Sequence, residues 1–513
     1  MGQLEQLLAL FVIAVILAAL ARRVGAPYPV FLAIGGALLA FLPAAPRFTL
    51  PPELALALFV APVLLDAAYD ASLRDLRDNW APVTGLVVFA VGLTTAAVAL
   101  VTRALIPEMP WAAAIALGAV VAPPDAVAAT AVLRPLRPPH RILTILEGES
   151  LLNDASALLI FRLAVGAVAA NGFSASAVAP TFLLAVAGSL VAGPALAWVL
   201  MQVMGRVQHV PTAIILQFAS TFGVWMLAES IGLSGVLTMV CFAMTAAQIA
   251  PGRTPARTRI PTYAVWETVV FALNILAFIF IGLQIRPIPE SLAAADRGRY
   301  FAVAGAVLLT VIVVRPAWHM TFNAVVRWRD RRFGFRPPRP MLQATVRSGL
   351  VISWAGMRGI VSLAAALALP SAFPYRDLIV LTAFTIVLGT LIIQGLTLKT
   401  LLRVFDLHDD DPVGHELQAA RERALREGLA SFAQDESSIA KAVRKEFAAY
   451  LASQQADGDG LRSAHSELRR GALEAARQAV LTMRANDEIG DDAFHQIEEE
   501  LDWIEMAGRR TIE

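Results

Sequence analysis

The sequence has little cysteine and little charge. Its 513 residues include one cysteine, Cys241, so no disulfide can form within the chain. Charged residues make up 16% of the sequence, whereas soluble domains carry roughly 25%. His319 stands in an apolar segment with no second histidine close enough to form a metal pair. These shortages exclude a disulfide-stabilised scaffold and argue against an ordinary soluble enzyme.

Hydrophobic residues account for 57% of the chain, and the mean hydropathy is +0.63. Apolar segments of about 17–29 residues, long enough to cross a bilayer, recur along the first four-fifths of the sequence. They lie at 4–21, 27–43, 53–71, 80–103, 111–133, 142–170, 176–204, 211–230, 233–250, 263–285, 300–324, 342–369 and 377–402. The first is expected to be a span rather than a signal peptide, since no small-residue cleavage pattern follows it. We therefore expect an all-α polytopic membrane protein with about thirteen transmembrane helices.

The loops between these segments differ in basic charge. Alternate loops are rich in it, carrying Arg22, Arg23, Arg74, Arg77, Arg134, Arg137, Arg141, Arg206, Arg253, Arg257, Arg259, Arg327, Arg329, Arg331, Arg332, Arg336, Arg339, Lys399 and Arg403. The other loops hold only Arg47, Arg103, Arg286, Arg297, Arg299 and Arg376. The positive-inside rule places the rich set in the cytoplasm. An odd number of spans then predicts an N-terminus outside and a C-terminus inside.

The composition changes after residue 405. Asp409-Asp410-Asp411-Pro412 ends the last apolar segment. Residues 406–513 are predicted to form a cytoplasmic tail of amphipathic helices, interrupted at 455–460. Such a tail is either a solvated helical unit that packs on itself or on a second subunit, or a regulatory domain that senses pH or a partner.

One apolar segment carries the run Gly148-Glu149-Ser150-Leu151-Leu152-Asn153-Asp154. Helical spacing places Glu149, Ser150, Asn153 and Asp154 on one broad face. Ionisable groups at membrane depth cost about 2.5–3.5 kcal/mol each even on the most lenient scale. A hydrogen-bond cluster between helices would need only the asparagine and serine. The two acids therefore favour a site for a cation or a proton.

The preceding segment is interrupted by Pro123-Pro124-Asp125. Two prolines remove backbone donors, so the helix should break there, and Asp125 is suited to cap the half that follows. A broken membrane helix frees carbonyl oxygens that can bind a cation. A plain proline kink is the alternative for this motif taken alone.

A third anomaly is Arg358, which stands between Gly356 and Gly359 inside the twelfth apolar segment. Arginine keeps its charge at membrane depth and needs a carboxylate or carbonyl partner. Glu149 and Asp125 are the candidate partners. Interrupted helices in both halves of a chain indicate an inverted-repeat transporter with its site near the midplane.

Three further polar residues lie in apolar segments. Asp66 either lines a cytoplasmic funnel or is a helix-end acid near Asp70. Arg315 and His319 are expected to be structural, because a lone intramembrane histidine usually serves as a hydrogen-bonded residue.

These motifs together resemble the sodium/proton antiporters of the NhaP/NHE type. The shared pattern is an interrupted fifth span, a Gly-Glu-Ser run followed by an Asn-Asp pair in the sixth, and Gly-Met-Arg-Gly in the twelfth. Here these are Pro124-Asp125, GESLLNDASALLIF from Gly148, and GMRGIVSLAAALALP from Gly356. The resemblance covers about residues 1–405.

The resemblance implies a role for each polar residue of the run in the sixth span. It implies that Asp154 binds sodium and a proton in alternation, and that Glu149 and Ser150 help to hold the ion. Arg358 would brace the acids, with Glu149 as its partner. Asn153 replaces the second aspartate of electrogenic relatives, which predicts electroneutral exchange.

One departure from the pattern concerns the interrupted fifth span, where Asp125 is counted among the ion-binding residues. The residue before Asp125 is usually threonine and is Pro124 here. A hydroxyl ligand is therefore missing, and only the backbone carbonyl of Pro124 remains to serve.

The resemblance also implies an architecture and a location. The transmembrane domain, 1–405, would contain interface helices at about 1–79 and 176–285 and an ion-carrying core at about 80–171 and 300–402. Two unwound helices would cross within the core, which would move as an elevator. The expected assembly is a homodimer in the lipid of the plasma (inner) membrane, serving pH homeostasis, with no cofactor beyond the transported ions and no nucleic-acid partner.

The predicted activity is exchange of a monovalent cation, Na⁺ or else Li⁺ or K⁺, for H⁺. A potassium-preferring antiporter is the nearest alternative. A cation channel would need a filter of carbonyls or charged rings, and no such loop is visible. An intramembrane protease would need a base near Ser234 in the run Gly232-Leu233-Ser234-Gly235. We interpret that run as a turn between the eighth and ninth spans.

Overall fold

The computed structural model describes residues 3–42, 51–169, 175–250, 253–254, 256–286, 288, 296–334, 345–407 and 412–431, with scattered positions between 434 and 501. All regular secondary structure among these residues is helical. The chain separates into two compact units, Met1–Asp410 and Asp411–Glu513. The first unit contains all of the predicted spans, and the second contains the charged tail.

The helices of the first unit follow the predicted apolar segments. In the first half they are α1 (Gln3–Val24), α2 (Tyr28–Ala40), α3 (Pro52–Ala55), α4 (Ala61–Asp70), α5 (Leu73–Asp78), α6 (Trp80–Thr84), α7 (Val91–Leu105), α8 (Trp111–Val121), α9 (Ala126–Leu133) and α10 (His140–Ala169). In the second half they are α11 (Ala175–Met204), α12 (Val210–Ser230), α13 (Gly235–Ile249), α14 (Ala256–Leu283), α15 (Arg297–Phe333), α16 (Val346–Trp354), α17 (Ile360–Leu367) and α18 (Arg376–Val404).

Eight stretches of the described chain are long and apolar enough to cross a membrane. They are α1, the run Trp80–Leu105, α10, α11, α12, α14, α15 and α18. Every predicted segment contains at least one helix, so the chain is a multi-pass membrane protein. The count of thirteen crossings stays a prediction, because several of the helices are shorter.

Two predicted spans are each divided into two short helices. The first divides at residues 122–125, between α8 and α9, where Pro123 and Pro124 provide no backbone donor. The second divides at residues 355–359, between α16 and α17. The two non-helical segments contact each other, because the Asp125 N–H donates to the Met357 carbonyl at 2.6 Å. The divisions thus meet at one point in the bundle.

Two π-helical turns, Leu56–Val60 and Gly85–Ala90, interrupt otherwise continuous helices, and the sequence pattern did not predict them. In the second, two carbonyls accept hydrogen bonds from side chains of neighbouring helices. Gly85 O accepts from Trp318 Nε1 at 2.9 Å, and Val87 O accepts from Ser156 Oγ at 3.0 Å.

Small residues allow the helices to pack closely. A Cβ at Gly36 would overlap the Ile279 carbonyl, and one at Gly282 would overlap the Ala33 carbonyl, where α2 crosses α14. Between α11 and α13, a Cβ at Gly193 would lie 2.7 Å from the Thr238 carbonyl. Lipid supplies no hydrophobic drive between membrane helices, so close backbone approach of this kind stabilises the bundle.

The second unit begins with α19 (Pro412–Ala430), in agreement with the predicted amphipathic helix after Pro412. Several apolar positions of the predicted tail helices, among them Phe432, Phe447, Tyr450, Leu451 and Trp503, lie outside the described residues. So does the predicted break at 455–460.

Candidate functional site

The polar run predicted as the site lies in the middle of α10. Glu149, Asn153 and Asp154 are 1%, 0% and 8% exposed, and Ser150 is half-buried. The packing face of the same helix includes Leu151, which is 2% exposed in a second apolar cluster. The helix therefore presents its carboxylates and amide to the interior of the protein.

Asp125 begins α9 and joins the two interrupted spans. Its Oδ1 accepts from the Val127 N–H at 2.9 Å, so it caps the second half-helix as predicted. Its own N–H donates to Met357 O. A Cβ at Gly359 would overlap Asp125 Oδ2, so the second break needs glycine at this position. The capping carboxylate is thus held against the second break.

Asn153 connects α10 to the first break. Its Nδ2 donates to the Pro124 carbonyl at 3.0 Å. That carbonyl was predicted to serve as a cation ligand, and this hydrogen bond uses one of its two lone pairs. The buried Asn153 Oδ1 has no hydrogen-bond partner among the described residues. A buried acceptor oxygen without a donor is rare, and this one suits a cation or a water at the site.

Glu149 is paired with Arg315 of α15. Arg315 Nη2 lies 2.6 Å from Glu149 Oε2, and Nη1 donates to Oε1. Arg315 also donates to the carbonyls of Ser353 and Ile352 at the end of α16. The predicted partner was Arg358, so that prediction was wrong. The signal for Arg315 was present in the sequence, since it is a second arginine inside an apolar run and required a carboxylate as well.

Arg358 has a different partner set. Its guanidinium donates to the carbonyls of Val121 (3.0 Å), Ala122 (3.2 Å) and Gly356. Its backbone N–H donates to Thr390 Oγ1 at 3.0 Å. At 1% exposure it binds carbonyls that both helix interruptions leave free. Arg358 therefore holds the two breaks together rather than forming an ion pair with an acid of α10.

The contact between Gly359 and Asp125 yields a prediction. Gly359→Ala should lower the stability of the detergent-solubilised protein by about 1–3 kcal/mol, the usual range for overpacking, because the added methyl displaces the Asp125 carboxylate. Gly92→Ala is the matched control, since a Cβ there meets nothing within 4 Å. The two melting temperatures would be compared by differential scanning fluorimetry. Equal values would contradict the close contact.

The whole membrane part matches a known family. The model described as "Sodium/hydrogen exchanger, transmembrane" matches residues 9–404. The chain belongs to the sodium/hydrogen exchanger family. The resemblance to NhaP/NHE antiporters predicted from the sequence is confirmed, and this family consists of cation/proton antiporters rather than enzymes.

Two relatives show how far the similarity extends. An uncharacterised Na⁺/H⁺ exchanger of Mycobacterium tuberculosis is 32% identical, over 94% of this chain and 92% of its own. A Bacillus pumilus protein named as a sodium, potassium, lithium and rubidium/H⁺ antiporter is 27% identical, over 94% of this chain and 74% of its own.

A solved structure supports the same fold. The sodium proton antiporter MjNhaP1 from Methanocaldococcus jannaschii, determined at pH 8, superposes with a TM-score of 0.60. The match covers 78% of this chain and 98% of the archaeal one, at 17% identity. At that identity the likeness concerns the fold alone.

Asp66 of the exchanger lines a cavity of about 350 Å³. Asp70, Glu267, Arg134 and Arg259 also line this cavity. The acids of α10 are absent from its lining residues among the part of the chain that the structure describes. The structure thus places Asp66 in a cavity that holds several charged residues, and its role in a cytoplasmic funnel stays a prediction.

Proposed function

We propose that the exchanger moves one monovalent cation, most readily Na⁺, against one proton, and that Asp154 binds the two in alternation. The main support is that Asp154, unlike the neighbouring carboxylates, has no bonding partner in the described part of the chain. Glu149 is neutralised by Arg315, and Asp125 is engaged by the N-terminus of α9. Asp154 forms no hydrogen bond or ion pair with the described residues and is 8% exposed. It is the buried carboxylate free to change partner.

The coupling follows from competition at one carboxylate. Asp154 can bind a proton or a dehydrated cation, and the two ligands exclude each other. A loaded carboxylate is neutral with either ligand, so it can cross the membrane interior far more readily than an empty, charged one. Exchange results because only the loaded forms move between the two sides.

The cation would be held by oxygen atoms around Asp154. Asn153 Oδ1 is a buried acceptor without a donor among the described residues, and Glu149, Ser150, Asp125 and the Pro124 carbonyl are the other proposed contributors. Oxygen ligands suit Na⁺, Li⁺ and K⁺. The breadth of ions in the name of the Bacillus pumilus relative supports a K⁺-transporting alternative, particularly because Pro124 supplies no hydroxyl.

The proposed movement is an elevator motion of a core (about 80–171 and 300–402) against interface helices (about 1–79 and 176–285). The contact between the two interrupted spans supports this, because both breaks lie in the proposed core. We further propose thirteen spans with inverted repeats, a homodimer in the plasma (inner) membrane, an outer N-terminus, a cytoplasmic tail, and a role in pH homeostasis. The distribution of basic loops supports the orientation.

Electroneutrality is tested by exchange in proteoliposomes under an imposed membrane potential. If only Asp154 changes its bound charge, the final pH gradient should follow the cation gradient alone. An imposed membrane potential should then leave the final pH gradient unchanged. If each cycle instead moved one net charge, the potential would contribute about 2.3 kcal/mol per 100 mV. A gradient that shifts with voltage would contradict the one-for-one exchange.

The same vesicles separate the proposed cations and the channel alternative. Proton flux would be compared for Na⁺, Li⁺ and K⁺ at equal concentration, with choline as the inert control. We expect flux with Na⁺ and none with choline. A larger flux with K⁺ would favour the potassium-preferring alternative, and single-channel currents in planar bilayers would favour the channel.

A further inference from the structure

An ion pair joins α10 to the α12–α13 turn. Arg162 Nη2 lies 2.5 Å from Glu229 Oε2, and Glu229 Oε1 accepts from the Gly235 N–H at 2.9 Å. Both carboxylate oxygens are therefore engaged. The Arg162 and Glu229 side chains are 50% and 34% exposed, so the protein does not enclose the pair.

The turn is built to hold this carboxylate in place. α12 ends at Ser230, Gly232 has a φ of +77°, and Ser234 caps α13 by accepting from the Leu237 N–H. A Cβ at Gly235 would lie 2.9 Å from Glu229 Oε1, so glycine allows the carboxylate to reach the backbone. The Gly232–Gly235 run is thus a turn, as predicted from the sequence, and it orients Glu229.

The pair lies far from the cavity that Asp66 lines. Arg134 lines that cavity and contacts Glu147 at 3.0 Å. Along α10, Arg162 is displaced from Glu147 by about 22 Å and from Asp154 by about 12 Å, in the opposite direction from Glu147. Asp154 therefore stands between a cavity towards one end of α10 and an ion pair towards the other.

We propose that Arg162 and Glu229 form an outer latch that closes the side opposite the cavity and sets the balance between inward- and outward-facing states. This rests on the proposed alternating access, in which α10 moves with the core while α12 and α13 stay with the interface helices. Displacement of the core along the interface separates the two side chains. The latch therefore stabilises the arrangement seen in the structure, which in this proposal opens towards the cavity side.

The expected effect is a side-specific change in cation affinity. The half-saturating cation concentration on one side equals the intrinsic value divided by the fraction of protein that faces that side. Exposed ion pairs contribute only modestly to the stability of the state that contains them. Loss of the latch should therefore raise the outward-facing population about threefold to fivefold. The half-saturating Na⁺ concentration on the outer side should fall by the same factor, whereas that on the cavity side should change little.

The test uses Arg162→Gln, Glu229→Gln and the double variant in vesicles of defined orientation. In Glu229→Gln the carboxamide oxygen can still accept from the Gly235 N–H, so this substitution removes the charge while the turn keeps its hydrogen bond. Arg299→Gln is the matched control, because Arg299 pairs with Glu108 at 3.4 Å and both residues belong to the proposed core. Monodisperse elution in detergent would show that each variant folds.

We expect both single variants to lower the outer half-saturating Na⁺ concentration. The double variant should lower it no further than either single variant. Arg162→Lys, which keeps the charge, should have the wild-type value. Outer values equal to those of Arg299→Gln, or effects that add in the double variant, would overturn the latch. If the wild-type exchanger showed no cation-dependent proton flux, that result would instead contradict the proposed function.

Discussion

Replacing Asp154 with asparagine is expected to abolish cation-driven proton movement. Asparagine retains the size and one oxygen of the aspartate but cannot alternate between a proton and a cation. The site would then lack the group whose loading couples the two fluxes. Flux in proteoliposomes should fall to that of protein-free vesicles, while expression and elution in detergent remain those of the wild type.

Asp66→Asn is the matched control for that experiment. It makes the same chemical change at another carboxylate within the apolar part of the chain, one that lines the cavity. We expect exchange to persist, with a higher half-saturating cation concentration on the cavity side. Continued cation-dependent proton flux in Asp154→Asn would exclude Asp154 as the carrier.

Arg315→Gln should cause the largest loss of stability among the substitutions considered. It leaves Glu149 as an uncompensated buried charge, and removal of one member of a buried pair typically costs about 3–5 kcal/mol. The melting temperature in detergent should fall sharply. Glu149→Gln/Arg315→Gln should recover most of this loss, because two neutral groups can share the site.

A surface pair provides the comparison for this prediction. Glu147→Gln removes the partner of Arg134, whose side chain is 65% exposed, and such pairs contribute about 0–1 kcal/mol. Its melting temperature should stay close to that of the wild type. A double variant no more stable than Arg315→Gln would contradict the view that the single change acts through the charge of Glu149.

The Glu149→Gln/Arg315→Gln variant also tests whether the Glu149–Arg315 pair takes part in transport. If Glu149 mainly orients the site through Arg315, the folded double variant should keep cation-dependent flux with a weaker affinity. If its carboxylate binds the cation directly, affinity and maximum rate should both fall. Measuring flux over a range of Na⁺ concentrations separates the two.

Local sequence pattern predicted much of the helical layout. Apolar length located the segments, because each helix that crosses a bilayer must be apolar along its whole length. Pro123 and Pro124 located the first break, and their backbone chemistry alone was sufficient for that. The two π-helical turns escaped prediction; the second accepts hydrogen bonds from Trp318 and Ser156, which belong to other helices and gave no local signal.

The site was predicted less completely. Its residues on α10 were evident because acids are costly in an apolar segment. The partner of Glu149 was not evident from the sequence, because Arg315 lies 166 positions away. Two arginines in apolar segments were equally suitable by composition. Only the packing of α15 against the end of α16 decides between them. The Arg162–Glu229 pair carried no signal either, since charged residues near the ends of spans are common.

Cation binding with proton release tests the central claim most directly. Titration calorimetry of the purified exchanger with Na⁺, repeated in buffers of different ionisation enthalpy, gives the number of protons released for each cation bound. At a pH where the empty site is protonated, the account predicts one proton per cation in the wild type and neither binding nor release in Asp154→Asn. Cation binding without proton release, or equal release from the variant, would contradict competition at Asp154.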